Sequence, residues 1–204
     1  MPRVIAGEAG GRRLAVPGGT STRPTSDRAR EGLFSSVLSE LGSLAGKRAL
    51  DLYAGSGAVG LEALSRGASH ALLVESDPRA VAVIRANMAT VGIAGAQVRG
   101  EKAERLLARP PEQGPYDFVF ADPPYALADA AVTRVLALLA RDWLTPDALV
   151  VVERATRSGG VDWPVGIAEG KSRTYGEATF WYGHRATVGK ISTGADDGPA
   201  VSRE

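Results

Sequence analysis

The chain has 204 residues, 44% hydrophobic and 23% charged, which suits one soluble globular domain with a sizeable core. It contains no Cys, which excludes disulfides, Cys-ligated zinc and a Cys nucleophile and fits a cytoplasmic protein. No apolar run or charged-then-apolar leader predicts a membrane span or a secretory signal. His70 and His184 lack ligand spacing, so no metal is expected, and a formal net charge of +1 excludes a global electrostatic case for nucleic acid.

The charge is nevertheless unevenly spread. Arg3, Arg12, Arg13, Arg23, Arg28 and Arg30 fall within the first thirty residues, against only Glu8 and Asp27. Residues 3 to 16 alternate apolar and polar around Gly7, Gly10 and Gly11, predicting a short hairpin. This basic arm reads equally as a phosphate-tracking segment and as an ordinary solvated surface. Arg23-Pro24-Thr25-Ser26-Asp27 breaks the chain and caps a helix starting near Arg28. Leu33, Phe34, Val37, Leu38 and Leu41 then form its core-facing stripe.

Ala49-Leu50-Asp51-Leu52 is the first core strand, running into Tyr53-Ala54-Gly55-Ser56-Gly57-Ala58-Val59-Gly60 and a helix stopped by Gly67. Strand, glycine turn and helix in succession place backbone N–H groups against a ligand. Gly55, Gly57 and Gly60 satisfy the G-x-G-x-x-G pattern, a weak signal alone. Asp51, four residues before the first glycine, favours a cationic partner over a pyrophosphate by charge. S-adenosyl-L-methionine carries a sulfonium and an ammonium and has no phosphate. The second strand, Ala71 to Glu75, ends in an acid placed to accept ribose hydroxyls, with Ser76 next to it; this supports an adenosine cofactor of either kind. Asp77-Pro78 starts the next helix, with Asp as cap and Pro at its first position, and Gly92 closes it. Gln97 to Arg99 is a third short strand. The turn Gly100-Glu101-Lys102-Ala103 after it is expected to reach the adenine.

A buried strand, Tyr116 to Ala121, then meets Asp122-Pro123-Pro124-Tyr125. Two prolines forbid the strand from continuing, so an acid and an aromatic are fixed in a rigid turn at a strand's carboxyl end. In open α/β sheets ligands bind at that edge. The Asp122 carboxylate and the proline carbonyls are acceptors suited to an exocyclic amino group, and Tyr125 offers a face on which a base could stack. The competing reading is a turn in which Asp122 merely caps the next helix. Val132, Val135, Leu136 and Leu139 mark that helix, and Leu149 to Glu153 a further buried strand. Glu153 could touch substrate, although a structural carboxylate is the preferred reading. Residues 167 to 183, split at Tyr175-Gly176, predict a closing antiparallel hairpin packed by Phe180 and Trp181. The stretch 186–204 reads as a disordered tail.

This order of elements, with Glu75 and the Asp-Pro-Pro-Tyr turn, resembles the class I S-adenosylmethionine-dependent methyltransferases, and within them the enzymes acting on exocyclic base nitrogens. Arg3 to Gly7, Arg12-Arg13-Leu14, Arg23 to Phe34 and Asp51 to Ala68 further resemble the RsmD-type signature. The resemblance covers about residues 3 to 183. It implies an α/β fold that is Rossmann-like: a seven-stranded mostly parallel sheet with helices on both faces and a closing antiparallel hairpin. Residues 1–42 would be a basic amino-terminal hairpin and helix extension, 43–185 the methyltransferase domain and 186–204 the tail. The implied activity is methylation of N2 of one guanine in bacterial 16S ribosomal RNA, by a monomer acting on an assembled or assembling 30S subunit. Asp51, Tyr53, Gly55, Gly57, Glu75, Ser76, Lys102, Ala103 and Asp122 would then bind the cofactor. Asp122, Pro123, Pro124 and Tyr125 would hold the base, and Arg3, Arg12, Arg13, Arg23 and Arg28 the RNA. Three other readings stay open: a DNA adenine or cytosine amino methyltransferase, an NAD-dependent oxidoreductase, and a non-catalytic RNA-binding module.

Overall fold

The computed structural model describes residues 2–18 and 26–186. Arg23 and the expected tail from residue 187 onward lie outside the described residues. In chain order the elements are α1 (Asp27–Leu41), β1 (Arg48–Leu52), α2 (Ala58–Ser65), β2 (His70–Glu75), α3 (Pro78–Val91), β3 (Ala96–Gly100), α4 (Ala103–Leu107), β4 (Tyr116–Ala121), α5 (Asp129–Leu138), β5 (Leu144–Ala155), β6 (Ile167–Tyr175) and β7 (Ala178–Arg185). The strands form one sheet in the order β3-β2-β1-β4-β5-β7-β6. β1 to β5 run parallel, and β7 enters antiparallel between β5 and β6.

Alternation along the strands builds two cores. Ala49, Leu73, Phe118, Phe120, Leu149, Val151, Phe180 and Tyr182 pack on one face with α1, α2 and α3. Leu50, Leu52, Val74, Val119, Ala121, Val150 and Val152 pack on the other with α4, α5 and Trp143. Helix starts follow their caps. The Ser26 hydroxyl accepts from the Ala29 N–H at the start of α1, and the Asp77 carboxylate accepts from the Arg79 N–H with Pro78 at the first position of α3. Between α5 and β5, residues 139–143 make a π-helical turn that seats Trp143 against Tyr116, centroids 5.8 Å apart and nearly parallel.

The amino-terminal segment docks on α2. Its hairpin is a single antiparallel bridge between Arg3 and Arg13, with Val4, Ala9 and Leu14 buried. Glu62, fully buried in α2, accepts from the N–H groups of Ile5 and Ala6 at 2.6 and 3.1 Å and from the Arg66 guanidinium at 2.7 Å. Ser65 accepts from the Ala9 N–H at 2.9 Å through its hydroxyl. A Cβ at Gly7 would lie 1.8 Å from the Ser65 carbonyl oxygen, so the chain can touch the helix there only as glycine.

Candidate active site

The sheet order reverses between β1, whose chain continues toward β2, and its other neighbour β4, and the candidate cofactor and base residues lie at the carboxyl ends of β1, β2, β3 and β4. Leu52 pairs with Ala121, and the Asp122 N–H donates to the Leu52 carbonyl at 3.3 Å, so the turns after β1 and β4 lie side by side. The first of these turns is tightly wound. Tyr53, Gly55 and Gly57 all take positive φ, at 60, 56 and 77°, and Tyr53 is the non-glycine residue that does so among the described residues. A bulky side chain is strained there, and such strain concentrates at functional sites. The Tyr53 hydroxyl donates to Glu104 of α4 at 3.2 Å, and Ala54 N–H to Val74 O at 3.0 Å.

Two acids fix the turn from beneath and from the side. Asp51 is 2% exposed and accepts from the Gly60 N–H at 2.9 Å, so it lies under the turn rather than facing open solvent. Burial pushes its carboxyl up to about 8, against the lowering effect of the Gly60 bond, and the Glu75 carboxylate adds to the rise. Glu75 accepts from the N–H groups of Gly55, Ser76 and Asp77 at 2.9, 2.7 and 2.9 Å. A carboxylate has about four acceptor sites, so about one remains for a ribose hydroxyl and a second hydroxyl must share an oxygen. Gly60 packs α2 close over the strands: a Cβ there would lie 3.0 Å from Leu73 Cγ and 3.3 Å from Asp51 Cβ.

Beside the turn opens a cleft of about 180 Å³ lined by Tyr53, Val74, Ser76, Glu101, Lys102, Ala103, Glu104, Pro124 and Leu127. It joins the turn after β3, which holds Lys102 and Ala103, to the turn after β4. Pro124, assigned to the base from sequence, lines this same cleft. Asp122 does not cap α5, whose capping position is Ala128, without a side-chain hydrogen bond. Its carboxyl is instead held well above the usual range, by burial first and then by the Glu153 and Asp51 carboxylates, with Arg154 opposing. Pro123 is buried and Tyr125 is 59% exposed, an aromatic face open at the rim. Arg154, 4% exposed, donates to the Leu127 carbonyl at 3.2 Å and to Asp129 at 2.9 Å, clamping the segment that follows Tyr125.

The basic arm divides. Arg13 and Arg28 are exposed. Arg3 is also exposed but lies 3.6 Å from Asp27, and Arg12 donates to the Thr90 and Val91 carbonyls, where it satisfies the carboxyl end of α3. Sequence reading missed three contributors. Glu104 receives the Tyr53 hydroxyl, Arg154 clamps the second turn, and Asn87 ties the arm to the first. The Asn87 amide donates to the carbonyls of Ala15 and Ser56 at 2.9 Å each and accepts from the Ala15 N–H at 2.8 Å. Asn87 sits between Ile84 and Val91 on the buried stripe of α3, and a polar residue in an apolar stripe was the signal available. Among the described residues no group of His, Cys, Asp and Glu is arranged to hold a metal, and no helix is long and apolar enough to cross a membrane.

Known proteins place this arrangement. The family model described as Conserved hypothetical protein 95 matches residues 2–184. Ribosomal RNA small subunit methyltransferase D of Escherichia coli strain K12 is 34% identical over 188 residues, 92% of each chain. The enzyme of the same name from Haemophilus influenzae is 36% identical over 155 residues, 74% of this chain and 77% of that one. The solved structure of yhhF from Escherichia coli superposes with a TM-score of 0.77 at 33% identity, over 90% of this chain and 97% of that one. The chain belongs to the Conserved hypothetical protein 95 family, shares its Rossmann-like fold, and is a methyltransferase.

Proposed function

We propose that the protein uses S-adenosyl-L-methionine to methylate the exocyclic N2 amino group of one guanine in 16S ribosomal RNA. It would act as a cytoplasmic monomer on an assembled or assembling 30S subunit. The observation that carries the reading is the Asp122-Pro123-Pro124-Tyr125 turn standing beside the cleft at the reversal of the sheet, in a chain 34% identical to a ribosomal RNA small subunit methyltransferase over 92% of its length.

The residues fit the cofactor by charge. Asp51 and Asp122 both sit above their ordinary range through burial first, with Glu75 adding to the rise of Asp51 and Glu153 and Asp51 to that of Asp122, and a bound cation would relieve both. Asp51, Tyr53, Gly55, Gly57, Glu75, Ser76, Lys102 and Ala103 would hold it, with Asp122 nearby. S-adenosyl-L-methionine supplies an electrophilic methyl group on a sulfonium.

The guanine amino lone pair is delocalised into the ring and attacks poorly. Asp122 and the Pro123 carbonyl accept from the amino hydrogens, which favours tetrahedral nitrogen and aims the lone pair. Fixing that geometry supplies much of the rate. As the N–C bond forms and the C–S bond breaks, nitrogen becomes cationic and releases one proton to Asp122 or solvent, so no strong base is needed. Tyr125 replaces the stacking partner of the extruded base. Arg3, Arg13 and Arg28 grip phosphates alongside, with Arg12 and Arg23 assigned to the same surface from sequence.

The test incubates the protein with methyl-labelled S-adenosyl-L-methionine and small subunits from cells lacking the gene, followed by digestion of the RNA. Label in N2-methylguanosine is the expected result. Label only in a DNA control, or in another nucleoside, overturns the assignment.

A further inference from the structure

Asp-Pro-Pro-Tyr offers acceptors to any exocyclic amino group and does not by itself choose guanine over adenine or cytosine. The acids around it suggest what does. Ala121 pairs with Val152, which brings Asp122 and Glu153 to the same height on neighbouring strands. Phe118 and Phe120 of β4 share one core face with Leu149 and Val151 of β5, so the two-residue period sends Asp122 and Glu153 to that same face. Glu153 is 4% exposed, buried on the strand beside the turn that ends in Tyr125. Its carboxylate is the strongest charge acting on Asp122 and on the Tyr125 hydroxyl. Arg154, next along β5, is committed to Leu127 and Asp129.

The three bases differ beside the amino group. Guanine carries a ring N1–H next to N2, whereas adenine and cytosine carry a ring nitrogen lone pair next to theirs. A carboxylate at that place accepts from the first and repels the other two. We propose that Glu153 is a specificity-determining residue of this site: its carboxylate accepts the N1–H of the guanine whose amino group Asp122 and the Pro123 carbonyl hold. This rests on the guanine-N2 reading above.

The test uses 2-aminopurine, which keeps the amino group but has a lone pair in place of N1–H. Small-subunit RNA is rebuilt by ligation with 2-aminopurine at the guanine located by labelling, and assembled into particles. The wild-type enzyme is expected to prefer guanine about 10- to 100-fold, the range of one well-formed polar base contact. Glu153→Gln can turn its amide to donate to the lone pair, so the preference should fall below about threefold, as an amide no longer distinguishes donor from acceptor. Glu153→Asp should retain a preference for guanine. The ratio compares two substrates on one enzyme sample, so it does not depend on how much of a variant folds. An unchanged ratio in Glu153→Gln overturns the role of Glu153 and leaves the guanine-N2 reading standing. Failure of the wild type to label guanine overturns both.

Discussion

Cofactor affinity should rise between pH 6 and 8 in a way that an ordinary aspartate would not produce. Asp51 is buried and its carboxyl is pushed up to about 8, so near pH 6 the free protein holds this group protonated. A contact with the amino acid end of the ligand needs Asp51 ionised, while the ligand's own ammonium stays charged across this range. Affinity then follows the ionised fraction of Asp51. With Asp51 at about 8 that fraction is about 0.01 at pH 6 and about 0.5 at pH 8, a roughly 50-fold rise worth about 2.3 kcal/mol. A carboxylate titrating near ~3.9 would give no rise at all between pH 6 and 8. The assay is calorimetric titration with S-adenosylhomocysteine, which keeps the amino acid end but lacks the sulfonium and so leaves Asp122 aside. Two buffers of different ionisation enthalpy should show about one proton released per ligand bound at pH 6. Affinity that stays flat or declines from pH 6 to 8 would refute the reasoning, as would the same profile in Asp51→Asn.

Other outcomes follow from the same geometry. Asp122→Ala should abolish methyl transfer to small subunits while S-adenosylhomocysteine affinity stays within about threefold, since positioning rather than cofactor retention is lost; a variant that stays active removes the role of Asp122. The folded protein keeps the Asp51 proton to about pH 8 while the unfolded chain releases it near its ordinary value. The contribution of Asp51 to stability is therefore present in acid and lost as pH rises toward 8. Urea unfolding should record a decline from pH 5 to 8 that is shallower in Asp51→Asn; parallel slopes would contradict this. Gly60→Ala should lower stability by ~1–3 kcal/mol, because a Cβ 3.0 Å from Leu73 outweighs the better helix propensity of alanine; a higher melting temperature would show that Leu73 moves aside freely. Arg13→Ala with Arg28→Ala should weaken RNA binding and flatten its salt dependence by about two phosphate contacts, whereas an unchanged slope assigns these side chains to plain surface.

Much of this architecture is legible because apolar runs and punctuation agree. Leu50, Val74, Val119 and Val150 lie in short apolar segments bounded by glycine, proline or acid, and each is a parallel strand. Asp77-Pro78 and Gly92 bracket α3 as their backbone preferences demand. Helix α4 is not legible: five residues after Lys102 are too few to display a period, and the segment reads as part of a turn. The site is legible in its residue types and not in their commitments. Sequence puts Glu75 opposite the ribose but cannot show that three backbone N–H groups already occupy most of its acceptor capacity. It counts Arg12 among the cations of the arm, although its guanidinium satisfies carbonyls of α3 some 79 positions away. Sequence turns Asp51 toward a ligand but cannot show that it already accepts from the Gly60 N–H of the helix packed over it. These are long-range hydrogen bonds, which no local pattern encodes.

The place of β7 bears on how the chain comes to exist. β7 lies between β5 and β6, yet it is made after both. During synthesis β5 therefore emerges with one flank unpaired, and β6 has no neighbour until residues 178 to 185 follow it out of the ribosome. An exposed strand flank is a template for wrong pairing. Phe180 and Tyr182, which complete the core beneath Phe120 and Val151, arrive only in that last segment. The carboxyl end of β5 carries Glu153 and Arg154, so the segment that Arg154 clamps after the second turn cannot be firm before β7 closes the gap. A growing chain of this protein would thus pass through a stage that resembles the finished fold but lacks its working edge until residues 178 to 185 are in place.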